Sequence, residues 1–511
     1  MQQYIPELKT VFATKKEENY SFEFDLNEYL PSIHELIRTS VCAEKCTVST
    51  TGSTCHALIS LKISVIYLSD FNAKIKNAVF KEDIKMEIKT PDEIDDGCIF
   101  VFSHHIPSCT TKQITTRKIS ISFGINASLC VLDKHENLLY SDKENDNICT
   151  LDKTITVCEK NIFTEQHFDF PCELSLDSQK GAASDVIFCE GAFSDISCKC
   201  MDSSVQINAR LTIHALYEVS KDDSQSSSAV YETVKADFDF SKVIDSDIFT
   251  NDSKVCVYLC VNSVEPSVSF DPYGENRVIS FNTRYSVTAN TYKDTECCVI
   301  TDGFIEKCAS SVSSSVLPYE VFSKPVFSKT TQTAEINGDF SKIQGISEAF
   351  CKILSVNFEQ NEGKLFAAIK CNIELLAQSS ENKLILPSFG CILHVQIPDV
   401  SVTSKEQIPE IFISVCSLKC YITGGKLYGD FDILLDGAIL EKNSIRAVSN
   451  IEKKEDEKPT LNENELIIYY PSKDDSLWSI AKKYSANPEA LKKLNKLESN
   501  SVDTRKFVII P

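Results

Sequence analysis

Most of the reactive side chains in this sequence are cysteines, of which there are 22. Cys42-x-x-x-Cys46, Cys256-x-x-x-Cys260 and Cys416-x-x-x-Cys420 are spaced almost as metal ligands are, and Cys198-x-Cys200 and Cys297-Cys298 add to the density. A tetrahedral thiolate site needs two such pairs, and no second Cys/His pair follows at a zinc-binding separation. The pairs at 256/260 and 416/420 lie in alternating stretches, where i and i+4 share a strand face, so they read as inward thiols packing as small apolar side chains. His104 and His105 are adjacent and on a strand point to opposite faces. No G-x-S-x-G, H-E-x-x-H or phosphate loop occurs. The expectation is a non-enzyme with no metal and no cofactor. The remaining candidates cluster near the C-terminal end, where the single Trp, Trp478, stands among Asp475, Ser476, Leu477, Asn495, Lys496 and Leu497. A large amphipathic ring suits a sugar face or a partner's apolar anchor. Asp475, Ser476 and Asn495 suit helix capping first and ligand contact second.

The segment that must position these residues runs from Leu466 to Pro511 and reads as strand, helix, helix, strand. Asp475 or Ser476 caps the first helix, and Leu477, Ile480, Ala481 and Tyr484 form one apolar stripe at i, i+3, i+4 and i+7. Asn487 caps the second helix and Pro488 takes its first position, with Ala490, Leu491 and Leu494 facing inward. Leu466 to Tyr470 and Phe507 to Ile510 are the strands. Lys482, Lys483, Lys492, Lys493 and Lys496 read as solvated helix faces.

Tyr470, Asp475-Ser476-Leu477-Trp478, Ile480-Ala481, Tyr484, Leu491, Asn495 and Ile510-Pro511 together resemble the LysM domain. The resemblance implies a shallow groove for N-acetylglucosamine-containing glycans, between the first strand–helix loop and the second helix–strand loop. Two positions depart from the family pattern: Asp474 replaces the usual Gly before the Asp, and Arg505-Lys506 the usual Gly-Gln before the last strand. The altered loops weigh against sugar binding.

The remaining nine-tenths of the chain is acidic. Net charge is −21, and the segment from Leu466 onward, with eight Lys/Arg against five Asp/Glu, is +3, which leaves −24 for the rest. A nucleic-acid partner needs a basic stripe, so none is expected. No run of about 18 apolar residues occurs, so no membrane span is expected. The first residues carry no basic segment followed by an apolar core, so the expected location is cytoplasmic, where thiols stay reduced.

Three stretches share one layout. His56 to Asp70, Ile207 to Asp222 and Phe366 to Asn382 alternate apolar and polar residues and end in a polar turn; Arg117 to Lys134, Asn276 to Asp294 and Gly425 to Asn443 do so later in each unit. Period-2 alternation bounded by Asp, Asn, Gly and Ser is the mark of half-buried antiparallel strands. The expected fold is therefore mainly β: an N-terminal segment (1–21), three β-rich repeats (22–160, 161–310 and 334–446) with a Ser/Thr-rich linker (311–333) before the third, a charged linker (447–464), and the small βααβ domain (465–511). Some 15 to 20 charged linker residues would span roughly 20–25 Å and let the last domain search independently.

Phe24-Asp25-Leu26-Asn27-Glu28-Tyr29-Leu30-Pro31-Ser32-Ile33-His34-Glu35-Leu36-Ile37, followed by long strands carrying Ile66-Tyr67 and Leu216-Tyr217, resembles the SPOCS module of sporulation proteins; the third repeat has Ala377 where Tyr would stand. The order of several such repeats and then one LysM is similar to a clostridial spore-coat morphogenesis type. That resemblance implies a scaffold in the mother-cell cytoplasm, at the forespore surface and spore coat, whose LysM docks a coat morphogenetic protein of the basement-layer ATPase type. The alternative is a peptidoglycan-binding cell-wall or cortex protein.

Overall fold

The computed structural model describes residues 4–510 apart from 71–72, 91–96, 141–146, 221–228, 382, 402–405, 455–465, 498, 500–501 and 503–505. Among the described residues the protein is mainly β and antiparallel, with two short helices near the C-terminal end.

One wiring pattern recurs. The first unit holds β1 (Tyr4–Asp25), β2 (Ile33–Thr51), β3 (Thr54–Ser69), β4 (Ile75–Lys89), β5 (Ile99–His105), β6 (Cys109–Gln113) and β7 (Lys118–Leu138). The second holds β8 (Ile148–Ser175), β9 (Ala183–Met201), β10 (Ser204–Val219), β11 (Tyr231–Asp245), β12 (Lys254–Ser269) and β13 (Val278–Ile305). The third holds β14 (Ser310–Ile336), β15 (Ile343–Asn361), β16 (Lys364–Ser379), β17 (Leu384–Ile385), β18 (Ser388–Ser401), β19 (Gln407–Thr423) and β20 (Lys426–Lys453). In each, the last strand lies between the first and the penultimate: β1-β7-β5 with β6 also on β7, β8-β13-β12 and β14-β20-β19. The other sheet centres on the unit's third strand: β2-β3-β4, β9-β10-β11, and β15-β16 with β17 and β18 on the far side of β16. The central strands β3, β10, β16, β7, β13 and β20 are the six stretches whose alternation is clearest in the sequence. A strand flanked on both sides buries its inner face, which is therefore mostly apolar.

Those inner faces make three cores, one per unit, around Ile59, Ile63 and Ile121, around Ile207, Leu211 and Tyr285, and around Ile369, Ile373 and Ile433. Near the ends of β3, β10 and β16 both faces are apolar. Tyr67, Tyr217 and Ala377 turn into their own cores. Their predecessors Ile66, Leu216 and Leu376 turn the other way and meet one another in a cluster shared by the three units. Ion pairs reinforce the joint: Arg38 pairs with Glu374, Lys76 lies 3.0 Å from Asp185 and Arg284 lies 2.9 Å from the buried Glu44. A cavity of about 1910 Å³ between the units is lined by residues of all three, among them Arg38, Glu190 and Lys352.

Several sequence-based boundaries differ from this arrangement. Residues 311–333, expected to be a linker, belong to β14, which pairs with β20 from Ser310↔Lys453 to Ile336↔Leu427. Ser and Thr suit an exposed strand face, and Pro318 and Pro325 are tolerated because β14 is an edge strand with one free side. β1 makes residues 4–21 part of the first unit, and β8 runs across the expected 160/161 boundary. β20 extends to Lys453, so residues 447–453 of the expected charged linker are strand, and 455–464 lies outside the described residues.

Each of the 22 cysteines is a thiol, none of them joined in a disulfide. The spaced pairs do not share one core, contrary to the reading of 256/260 and 416/420 as jointly inward. A bulge at Val415/Ser417 lets Cys416 pack against the second core and Cys420 against the third. Cys256 joins a cluster with Ala438 and Leu440 of the third unit, and Cys260 lines the cavity. Among the described residues no group of three Cys, His, Asp or Glu side chains could hold a metal ion. Burial pushes many thiols upward, Cys42 to about 11 and Cys46, Cys158 and Cys189 to about 12.

Asp436 of β20 sits at the junction with the second unit, where it accepts from the Val257 amide at 3.3 Å, and burial raises its carboxyl to about 6. A carboxyl whose folded pKa is raised holds its proton more tightly in the native state, so its contribution is fully present below the unfolded value and is lost as pH rises through the folded one. Asp436→Asn is expected to leave the melting temperature unchanged near about pH 3.5 and to stabilise by about 2 kcal/mol near about pH 8. Calorimetry across that range checks it.

Candidate functional site

The last unit comprises β21 (Ile467–Tyr469), α1 (Leu477–Lys483), α2 (Pro488–Leu494) and β22 (Val508–Ile510), with β21 and β22 antiparallel. Ser476 is the N-cap of α1: its hydroxyl accepts from the Ser479 amide at 3.1 Å while the Ser479 hydroxyl accepts from the Ser476 amide at 2.9 Å. This reciprocal pairing satisfies two amides that the first turn leaves unpaired. Asn487 caps α2 through the amides of Glu489 and Ala490, with Pro488 first in the helix. Leu477, Ile480, Ala486, Leu491, Val508 and Ile510 form the core. Ala490 and Leu494, expected to face inward, are exposed. With only two turns in α2, Leu491 is its one fully inward residue, and Ala486 and Leu497 complete the packing from the flanking loops.

Most of the seven candidate residues hold this framework together. Asp475 accepts from the Tyr469 hydroxyl at 2.8 Å, the Ser472 amide at 2.8 Å and the Ser472 hydroxyl at 2.7 Å. Those donors, the Ser472 hydroxyl foremost, keep its carboxyl below the usual range. It therefore ties the first loop to β21. Ser476 is the cap, Leu477 is buried, and Leu497 is half-buried against the core. Asn495 gives its amide hydrogens to the carbonyls of Leu491 (2.9 Å) and Ile509 (2.7 Å) and accepts from the Ile509 amide at 2.7 Å. It thus fastens the end of α2 to β22. Lys496 is exposed, with a left-handed φ of 49° at the turn that follows.

Trp478 lies apart from this core. Its Nε1 donates to the Asp302 carboxylate at 2.9 Å, and its ring lies 5.3 Å from that of Phe304, both on β13. Lys482, expected to be solvated, pairs with the same Asp302. The unit is therefore seated on the β body and does not hang free on its linker. The exposed aromatic surface lies elsewhere: Tyr470 is 72% exposed and Phe507 50%, with ring centroids 6.3 Å apart, beside Leu466 and Ile468. Sequence reasoning missed this pair. The available signal was an apolar residue at every position from Leu466 to Tyr470, which leaves one face of a short strand uncovered.

The loops before α1 and after α2 are the two that flank this surface, with Lys473, Asp474 and Lys506 exposed on them. Asp474, in place of the usual Gly, is accommodated on that exposed loop; Arg505 lies outside the described residues. Among protein families, the LysM domain matches residues 472–511. The C-terminal unit is a LysM domain. No curated protein matches the chain. A solved structure, the crystal structure of a lipopolysaccharide binding protein, aligns with 52% of this chain and 91% of that chain at 8% identity, with a TM-score of 0.09 that carries no likeness of fold.

Because Asn495 makes three bonds inside a small domain, Asn495→Ala is expected to cost about 2 kcal/mol and to speed exchange of the Ile509 amide by about 30-fold. Hydrogen exchange on the full chain reads that amide directly.

Proposed function

We propose that this protein is a non-catalytic glycan-binding protein whose LysM domain takes N-acetylglucosamine-containing chains, peptidoglycan foremost, and whose β units are the scaffold that presents it. The observation that carries this reading is the LysM match at residues 472–511, with its loops and the Tyr470/Phe507 pair exposed. Exposed rings offer apolar faces to the C–H faces of sugars, and flanking polar groups meet the hydroxyls. Asp475 acts by shaping the first loop and Asn495 by anchoring the second, with ligand contact left to the exposed residues. Full-length protein is expected to sediment with purified insoluble peptidoglycan. Tyr470→Ala is expected to weaken that binding about tenfold, or about 1.4 kcal/mol, without lowering the melting temperature. Absence of sedimentation by the folded wild-type chain would sink the glycan reading.

A second reading has its own support. Leu466, Ile468, Tyr470 and Phe507 form an exposed apolar strip of the kind that anchors protein partners. Three units of one strand order ahead of a LysM accord with the SPOCS-like resemblance. On this reading the chain is a sporulation scaffold at the forespore surface, and the LysM docks a spore-coat morphogenetic protein of the basement-layer ATPase type. Crosslinking in sporulating cells distinguishes the two: residues 466–511 joined to that ATPase support docking, and joined to glycan alone they support the first reading.

A further inference from the structure

The contact between LysM and body is built from a continuous stretch of chain. Beyond the bulge at Ile300/Asp302, residues 302–308 run along α1 and the turn after it. The Asp302 carboxylate receives Trp478 Nε1 on one oxygen and the Lys482 ammonium and the Gly303 amide on the other. Trp478 and Lys482 are four positions apart, hence on one face of α1. Phe304 supplies an apolar shelf to the indole. The Lys307 amide donates to the Ser485 carbonyl at 2.8 Å, the Ser485 hydroxyl donates to the Cys308 carbonyl at 3.0 Å, and the Asn487 side-chain Nδ2 donates to the Glu306 carboxylate at 3.3 Å. The path of the chain favours the contact as well. β20 ends at Lys453, paired with Ser310, just after the stretch that receives the LysM. Gly303 brings the two strands' ends together, since a Cβ there would lie 2.4 Å from Ile451 Cδ1.

We propose that residues 302–308 are an intramolecular receptor for the LysM domain, an acidic and aromatic dock that takes an indole N–H and an ammonium from one helix face. The docked domain covers Trp478 and leaves Tyr470 and Phe507 outside. Each bond is weak alone, but a tether that starts beside the dock keeps the local LysM concentration high. Closure is therefore the resting state, and it is reversible. A ligand that engages only the exposed loops binds the closed form, whereas one that needs Trp478 must displace Asp302 and Phe304. This holds whichever ligand the LysM takes.

Trp478 is the only Trp of the chain, so its fluorescence reports the dock alone. In the full-length protein, Asp302→Lys is expected to red-shift the emission and to raise acrylamide quenching about twofold, and the charge-swapped pair Asp302→Lys with Lys482→Asp is expected to recover part of the shielding. Wild-type quenching is expected to stay constant on dilution. Lys482→Glu, on the exposed side of the contact, repeats the test should Asp302→Lys not fold. Emission and quenching unchanged in a folded Asp302→Lys or Lys482→Glu chain would overturn the dock. Quenching that rises on dilution of the wild type would overturn its intramolecular form in favour of exchange between copies.

Discussion

Each β unit depends on its last strand reaching back to its first. β7, β13 and β20 are the strands that complete a sheet with β1, β8 and β14, and they pair along nearly their full length, from Tyr4↔Leu138 in the first unit to Ser310↔Lys453 in the third. Until that closure happens, the longest strands of the molecule have unpaired amides and carbonyls and one apolar face without cover. The closing strand is central in its sheet, so it also carries the inner face on which the other sheet of the unit packs. Non-local pairing of this kind implies slow folding, unit by unit, with loop closure preceding any return from packing.

Association of the units follows from a second use of the same alternation. A strand that is apolar on one face needs one partner layer, and a strand end that is apolar on both needs two. Ile66, Leu216 and Leu376 put the second apolar face at the same place in three units, and the units bury it against each other. The cavity between the units is lined by apolar and charged residues alike, and the pairing of Arg38 with Glu374 across it ties the first unit to the third. The LysM is attached covalently to the third unit yet seated on the last strand of the second, because β13 and β20 end side by side.

The sequence made the central strands legible because burial on one face leaves a strict two-residue period. It made the LysM legible through caps and a helical stripe, which are local signals. The edge strand β14 was opaque for the opposite reason: with one face exposed and one side free, Ser, Thr and Pro are acceptable there, and these are also the residues of linkers. A bulge defeated the reading of Cys416 and Cys420, since one added residue at Cys416 puts the two on opposite faces; Cys256 and Cys260 do share a face, but it is the one turned away from their own core. Asp302 and Trp478 lie in different domains, and nothing near either residue announces the other.

The cysteines acquire a different meaning once their burial is taken together. A thiol held protonated by burial is a poor nucleophile at neutral pH, so the native fold masks the sulfur chemistry of such positions, Cys46 and Cys189 among them. Unfolding restores ordinary thiolate formation at many positions of one chain at once. In an oxidising solution the exposed thiols would then crosslink and block refolding, and thermal transitions would become irreversible unless a reductant is present. Persistence of the folded state is therefore set by the rate of opening as much as by the free energy of the closed form.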